Sequence, residues 1–293
     1  MLTIELLKKI RKIEISTKKA VSETFSGQYH SVFKGQGIEF SEVRPYIVGD
    51  EIRFVDWNVS ARQNSLFVKR FVEERELTVF IIADVSGSTL FGSASSLKSE
   101  IIAEISSILA FSAIDNKDKV GAILFSDKIE RYIPPKKGRK HVLSIISEIM
   151  SHKPQSFKTG IDNALRYTLN TLKRRSVIFL LSDFIDSGFE KSISIVSKKH
   201  DLIAIRLIDP YETGVNLPFY LTVRDPESDD EYIIDVMRYQ NSQYIKRFYQ
   251  DFSTKISDIF KKNDIDYLEV DISQDYIAPL TKFFKMRQKR NVR

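Results

Sequence analysis

Residues 77–88 read Leu77-Thr78-Val79-Phe80-Ile81-Ile82-Ala83-Asp84-Val85-Ser86-Gly87-Ser88. An almost unbroken apolar run ends at an aspartate and then a Ser/Gly turn. With no polar face, such a run predicts a strand buried on both sides, as in a parallel sheet. Three more runs share the texture, Val120–Phe125, Ser176–Leu181 (ending at Asp183) and Leu202–Ile208, and Ile265–Val270 returns later as a strand. Helical patterns lie between them, over about 95–114, 139–150, 161–172 and 190–199. This alternation predicts an α/β fold, a doubly wound and mostly parallel sheet with helices on both faces. Ile129–Ile133 fits a short edge strand. A hairpin over Asn216–Asp235 and a long aromatic-rich helix over Met237–Lys262 interrupt the alternation, and a helix over Asp275–Met286 closes it.

Upstream the texture differs. Residues 1–20 space Leu2, Leu6, Ile10 and Ile13 near helical intervals, which predicts an amphipathic helix. Residues 21–76 are punctuated by Gly27, Gly35, Gly37, Pro45 and Gly49 and carry short runs such as Ile38–Val43 and Leu66–Val72. They predict a small β-rich subdomain. The expected organisation is a helix over 1–20, that subdomain over 21–76, and a large α/β domain over 77–290 interrupted at about 214–263.

Composition narrows the chemistry. The 293 residues are 42% hydrophobic and include 0 Cys. A core of good size is available, while a disulfide framework, a thiolate zinc site and a cysteine nucleophile are excluded. A reducing, cytoplasmic setting is the simplest expectation. The longest stretch free of Asp, Glu, Lys and Arg is Val85–Leu97, too short and too polar to span a membrane. The N-terminus lacks the pattern of a signal peptide. The formal net charge is +6, but residues 1–20 contribute +4 and residues 282–293 contribute +6, leaving −4 for the remainder. Basic ends can meet nucleic acid or anionic lipid; solvated tails are the plainer reading.

The strand-end turn carries the chemistry. In open α/β sheets, ligands bind at the carboxyl ends of strands. Asp84, Ser86 and Ser88 offer one carboxylate and two hydroxyls, a hard oxygen set suited to Mg²⁺ or Mn²⁺. Thr159, before the helical pattern at Ile161, and Asp183, after the third apolar run, are further ligand candidates. The alternative without a metal has Asp84 and Asp183 capping the following helices.

Asp84-x-Ser86-x-Ser88, then Thr159, then Asp183 resembles the metal-ion-dependent adhesion site of von Willebrand factor A domains. The resemblance implies a Rossmann-like core, an ion held by these five residues (some through water), and an open position for a Glu or Asp carboxylate from a partner protein. Further upstream stand Gly35-Gln-Gly37-Ile-Glu-Phe40-Ser-Glu-Val-Arg44-Pro-Tyr46, then Gly49-Asp50-Glu-Ile-Arg53-Phe-Val-Asp56-Trp57, Ser60-Ala-Arg62 and Leu66-Phe-Val-Lys69. This block resembles the family known as domain of unknown function 58, over roughly residues 20–290. That resemblance implies pairing with a MoxR-type AAA+ ATPase in chaperone-like work. Arg44, Asp50, Arg53, Asp56 and Arg62 alternate in sign. They fit a salt-bridge network over a core-packed Trp57, or a docking face beside the metal.

Together these features predict a non-enzymatic, Mg²⁺-dependent protein-binding module. A binder working through basic tails on nucleic acid or membrane surfaces is one alternative. An Asp84-based phosphotransfer enzyme is another, weakened because Ser86 stands where a general acid would be needed. His30, His141, His152 and His200 form no motif for a serine hydrolase, and His200 is expected at a helix-to-strand junction. The basic loop Lys136–His141 could cradle a phosphate, or simply be solvated. No Walker A sequence is present.

Overall fold

In the computed structural model the described residues are 11, 13, 29, 39–72, 76–90, 97–152, 156, 158–210, 220–224, 231–235 and 239–291. Most of the helix expected over 1–20, most of residues 21–38 and the turn of the expected hairpin lie outside them.

The elements run β1 (Glu39–Pro45), α1 (Trp57–Gln63), β2 (Phe67–Val72), β3 (Thr78–Asp84), α2 (Lys98–Asp115), β4 (Lys119–Phe125), β5 (Ile129–Lys136), α3 (Arg139–Ser151), α4 (Ile161–Thr171), β6 (Val177–Ser182), α5 (Glu190–Lys199), β7 (Asp201–Ile208), β8 (Tyr220–Arg224), β9 (Glu231–Asp235), α6 (Tyr239–Lys262), β10 (Asp266–Asp271) and α7 (Ile277–Asn291). Six strands form one sheet in the order β10-β7-β6-β3-β4-β5. All neighbours pair in parallel except β4 and β5, so β5 is an antiparallel edge. The fold is therefore mixed α/β around a mostly parallel sheet. β1 pairs antiparallel with β2 in a small separate sheet, and β8 with β9 in another.

The apolar runs are apolar throughout because both faces of the sheet are covered. Val79, Ile81 and Ala83 join one core with side chains of α2, α3 and α7. Phe80 and Ile82 join a second core with side chains of α4, α5 and α6. A strand dividing two cores has no solvent face to mark with polar residues. From β3 the chain first winds out to β4 and β5, then crosses back to β6, β7 and β10. The reversal falls at the β3–β6 neighbour pair, whose carboxyl ends are Asp84 and Ser182. This is the position at which an open α/β sheet leaves a crevice.

Two expectations change, and a third, the salt-bridge network of the signature block, is met in part. Trp57 is 63% exposed, so it does not pack beneath the signature block. As the first residue of α1 it follows Asp56, whose carboxylate caps the helix by accepting from the Asn58 and Val59 amides. The block's charges form local pairs: Arg44 holds Asp50 through two hydrogen bonds of 2.7 and 2.8 Å, and Arg53 pairs with Glu51. The basic C-terminal segment is not a solvated tail either. Through Asn291 it is helix α7, with Leu280 and Phe284 in the core. Arg287, 8% exposed, pairs with Asp201 and Asp266, and Arg290 pairs with Asp266 and Asp264. No helix among the described residues is long and apolar enough to cross a membrane.

Candidate functional site

β3 ends at Asp84 because the next residues leave the sheet in a tight 3-10 turn, Gly87–Leu90. The Thr89 hydroxyl fastens that turn by donating to the Ser86 carbonyl at 2.7 Å. Ser86 is thereby folded back over the strand end: its amide donates to Asp84 Oδ1 at 2.9 Å. On the neighbouring strand, Ser182 donates its hydroxyl to Asp84 Oδ2 at 2.6 Å and accepts the Phe184 amide at 3.0 Å. Both Asp84 oxygens are held and fully buried. Neither Asp84 nor Asp183 caps a long helix. The N-cap of α2 is Leu97 and that of α5 is Phe189, so the capping alternative does not describe this geometry.

The hydroxyls converge. Thr159 Oγ1 donates to Ser86 Oγ at 2.9 Å, and Ser86 Oγ lies 3.1 Å from Ser88 Oγ. Thr159 is brought there by its neighbour Gly160, whose amide donates to Ser126 O just past β4 at 2.9 Å. Gly160 packs so tightly that a Cβ would stand 2.8 Å from Asp127 Cα. The loop after β6 is equally constrained. Phe184, fully buried, has φ of 62°, a costly conformation for a bulky residue. The sharp turn lets Asp183 Oδ1 accept the Ile185 amide at 3.1 Å.

The electrostatics of the two carboxylates differ. Asp183 is paired with Lys98, the first residue of α2, Nζ to Oδ2 at 3.0 Å. Among the described residues no cationic side chain pairs with Asp84. Burial, and then the neighbouring charge of Asp183, push its carboxyl up to about 7. A buried carboxylate in that condition is one a cation would relieve.

The sequence-predicted Asp84, Ser86, Ser88 and Thr159 thus form one hydrogen-bonded cluster, and Asp183 lies near enough to shift Asp84. Ser182 and Lys98 were not anticipated. Ser182 could have been found, since β3 and β6 pair in register and Ala83↔Leu181 sets Asp84 beside it. No local pattern marks Lys98. The donor set fits a hard divalent ion: adjacent ligands of an octahedral Mg²⁺ with bonds of about 2.0–2.1 Å stand about 3 Å apart, the spacing found here between hydroxyls. Among the described residues no three His, Cys, Asp or Glu side chains converge as a metal group, so hydroxyls would have to supply much of the coordination.

The other motifs sit elsewhere. Lys137 of the basic loop pairs with Glu76, which just precedes β3, at the opposite end of the sheet. His200 ends α5 just before β7, at the junction foreseen, and is buried.

A family model described as "Protein of unknown function DUF58" matches residues 42–254. Uncharacterised proteins of Mycobacterium tuberculosis and Mycobacterium bovis are 26% identical over 224 residues, which is 75% of this chain and 70% of theirs. Among solved structures, the conserved hypothetical protein BatB from Bacteroides thetaiotaomicron matches at a TM-score of 0.47 and 16% identity, covering 73% of this chain and 99% of that one. An aerotolerance-related membrane protein from Bacteroides fragilis matches at 0.47 and 17%, with the same coverage.

Proposed function

The chain belongs to the DUF58 family of proteins of unknown function, and from that premise we propose that it is a divalent-cation-dependent protein-binding module of the von Willebrand A type. The observation that carries the reading is the hydroxyl cluster of Ser86, Ser88 and Thr159 beside buried Asp84, at the sheet's reversal point. Ser86, Ser88 and Thr159 would hold Mg²⁺ or Mn²⁺ directly, with Asp84 and Asp183 behind them. Neutral hydroxyl ligands leave the ion electrophilic, so its chemistry there would be capture of a carboxylate. Asp84 and Ser182 fix the cluster, while Thr159 depends on the Gly160 contact.

In this reading the sixth ligand is a Glu or Asp of a partner protein, and the module does no catalysis of its own. A MoxR-type AAA+ ATPase or its client, in the cytoplasm, is the partner proposed. Exposed apolar residues of the signature block, including Val48 (95%), Ile52 and Trp57, support a protein-binding surface.

The test is capture of a purified MoxR-type ATPase by immobilised protein in Mg²⁺, in EDTA, and with Ser88→Ala. Capture that depends on Mg²⁺ and fails with Ser88→Ala supports the proposal. Equal capture in all three conditions contradicts it.

A further inference from the structure

A lysine is a costly group to bury, and the first turn of a helix is the wrong end for it, because the helix dipole presents positive charge there. Lys98 nevertheless begins α2 with its side chain 0% exposed, and reaches Asp183, itself 2% exposed, at 3.0 Å. Packing alone would be met by Leu or Met of similar volume. What the ammonium supplies is one positive charge beside a candidate ligand set that has only two carboxylates.

We infer that Lys98 is a built-in counter-cation that holds down the intrinsic ion affinity of this site, so that divalent ion and partner carboxylate bind cooperatively. This rests on the cation-site reading above. With Asp183 neutralised by Lys98, the pocket offers a divalent ion the net charge of Asp84 alone. An arriving carboxylate supplies the missing negative charge, so each ligand strengthens the other by the same factor. Removing the ammonium while keeping Asp183 would give the ion both carboxylates at once. The site would then fill without a partner.

The experiment is calorimetric titration of Mn²⁺ into the full chain as wild type, Lys98→Met, Lys98→Met/Asp183→Asn and Asp84→Ala, with circular dichroism to confirm folding. Lys98→Met is expected to bind Mn²⁺ at least about ten-fold more tightly than wild type, from one additional unpaired negative charge nearby. The double variant, which removes both charges, is expected to return to within a few-fold of wild type. Wild-type binding with Lys98→Met no tighter overturns the role of Lys98 and leaves the ion site standing. If neither wild type nor Lys98→Met binds more than Asp84→Ala does, the ion site itself fails, and this inference with it. Should Lys98→Met fold only with help, recovery in Mn²⁺ but not in NaCl supports the inference; failure in both overturns it.

Discussion

Lys98 and Asp183, 85 residues apart in the chain, meet as an ion pair shut off from solvent, Nζ to Oδ2 at 3.0 Å. The pair ties the start of α2 to the end of β6 across the carboxyl end of β3. Removing one member leaves the other charged and buried, which typically costs about 3–5 kcal/mol. Lys98→Met and Asp183→Asn, each alone, should lose that much stability in urea denaturation without divalent ions. The double variant Lys98→Met/Asp183→Asn should lose clearly less than the two single variants combined. Additive losses would mean that the pair is not coupled.

Asp84 gives a pH signature. Burial and Asp183 raise its folded-state pKa from an ordinary carboxyl value to about 7. Between pH 4 and 7 the folded protein therefore keeps a proton that the unfolded chain has released, and stability falls as pH rises through that window. Asp84→Asn removes the liability. Measured by urea denaturation in EDTA, its unfolding free energy should gain on wild type from pH 4 to 7, by an amount on the order of a few kcal/mol. Excess Mg²⁺ should cancel the gain. Parallel pH profiles would refute the assignment.

His200 predicts the opposite slope. Burial, then the nearby charges of Lys199 and Arg175, lower it to about 4, and its Nδ1 accepts the Ser176 amide at 3.3 Å. Below about pH 6.5 the unfolded chain takes up a proton that the folded protein refuses, so stability falls as pH falls from 6.5 to 4. His200→Gln should flatten that limb by roughly 2 kcal/mol. A limb unchanged in the variant would assign the effect to other groups.

Two glycine substitutions separate scaffold from site. A Cβ at Gly160 would meet Asp127 Cα and O at 2.8 and 2.9 Å, backbone that cannot swing aside. Gly160→Ala should lose about 1–3 kcal/mol and also weaken Mn²⁺ binding, because Thr159 must move. At Gly121 a Cβ would meet the Phe80 ring at 2.7 Å and Ile133 O at 3.0 Å, within the sheet. Gly121→Ala should lose comparable stability and leave ion affinity unchanged. Equal affinity in both variants would show that Thr159 is not a ligand.

Much of this was legible in the residues. Strands buried on both faces announce themselves as runs such as Phe80-Ile81-Ile82-Ala83, and their boundaries hold within a few residues because strand ends coincide with Asp, Ser and Gly. The five proposed ligands sit at a strand end or in loops that the β/α alternation already places at one end of the sheet. What escaped depended on tertiary contact. Trp57 looks like core from its type alone, yet a small two-stranded sheet with a helix of about two turns has little interior to offer it. Lys98 reads as an ordinary helix-start lysine until the loop after β6 supplies Asp183. Arg287 and Arg290 read as tail charge until β7 and β10 supply Asp201 and Asp266.

The most direct measurement is anomalous diffraction from a crystal of the protein soaked in Mn²⁺. A single strong peak within about 2.0–2.3 Å of the Ser86 and Ser88 hydroxyl oxygens, lost in Asp84→Ala, is the expected result. A well-ordered cluster with no anomalous density, or density only at surface carboxylates, would contradict the account.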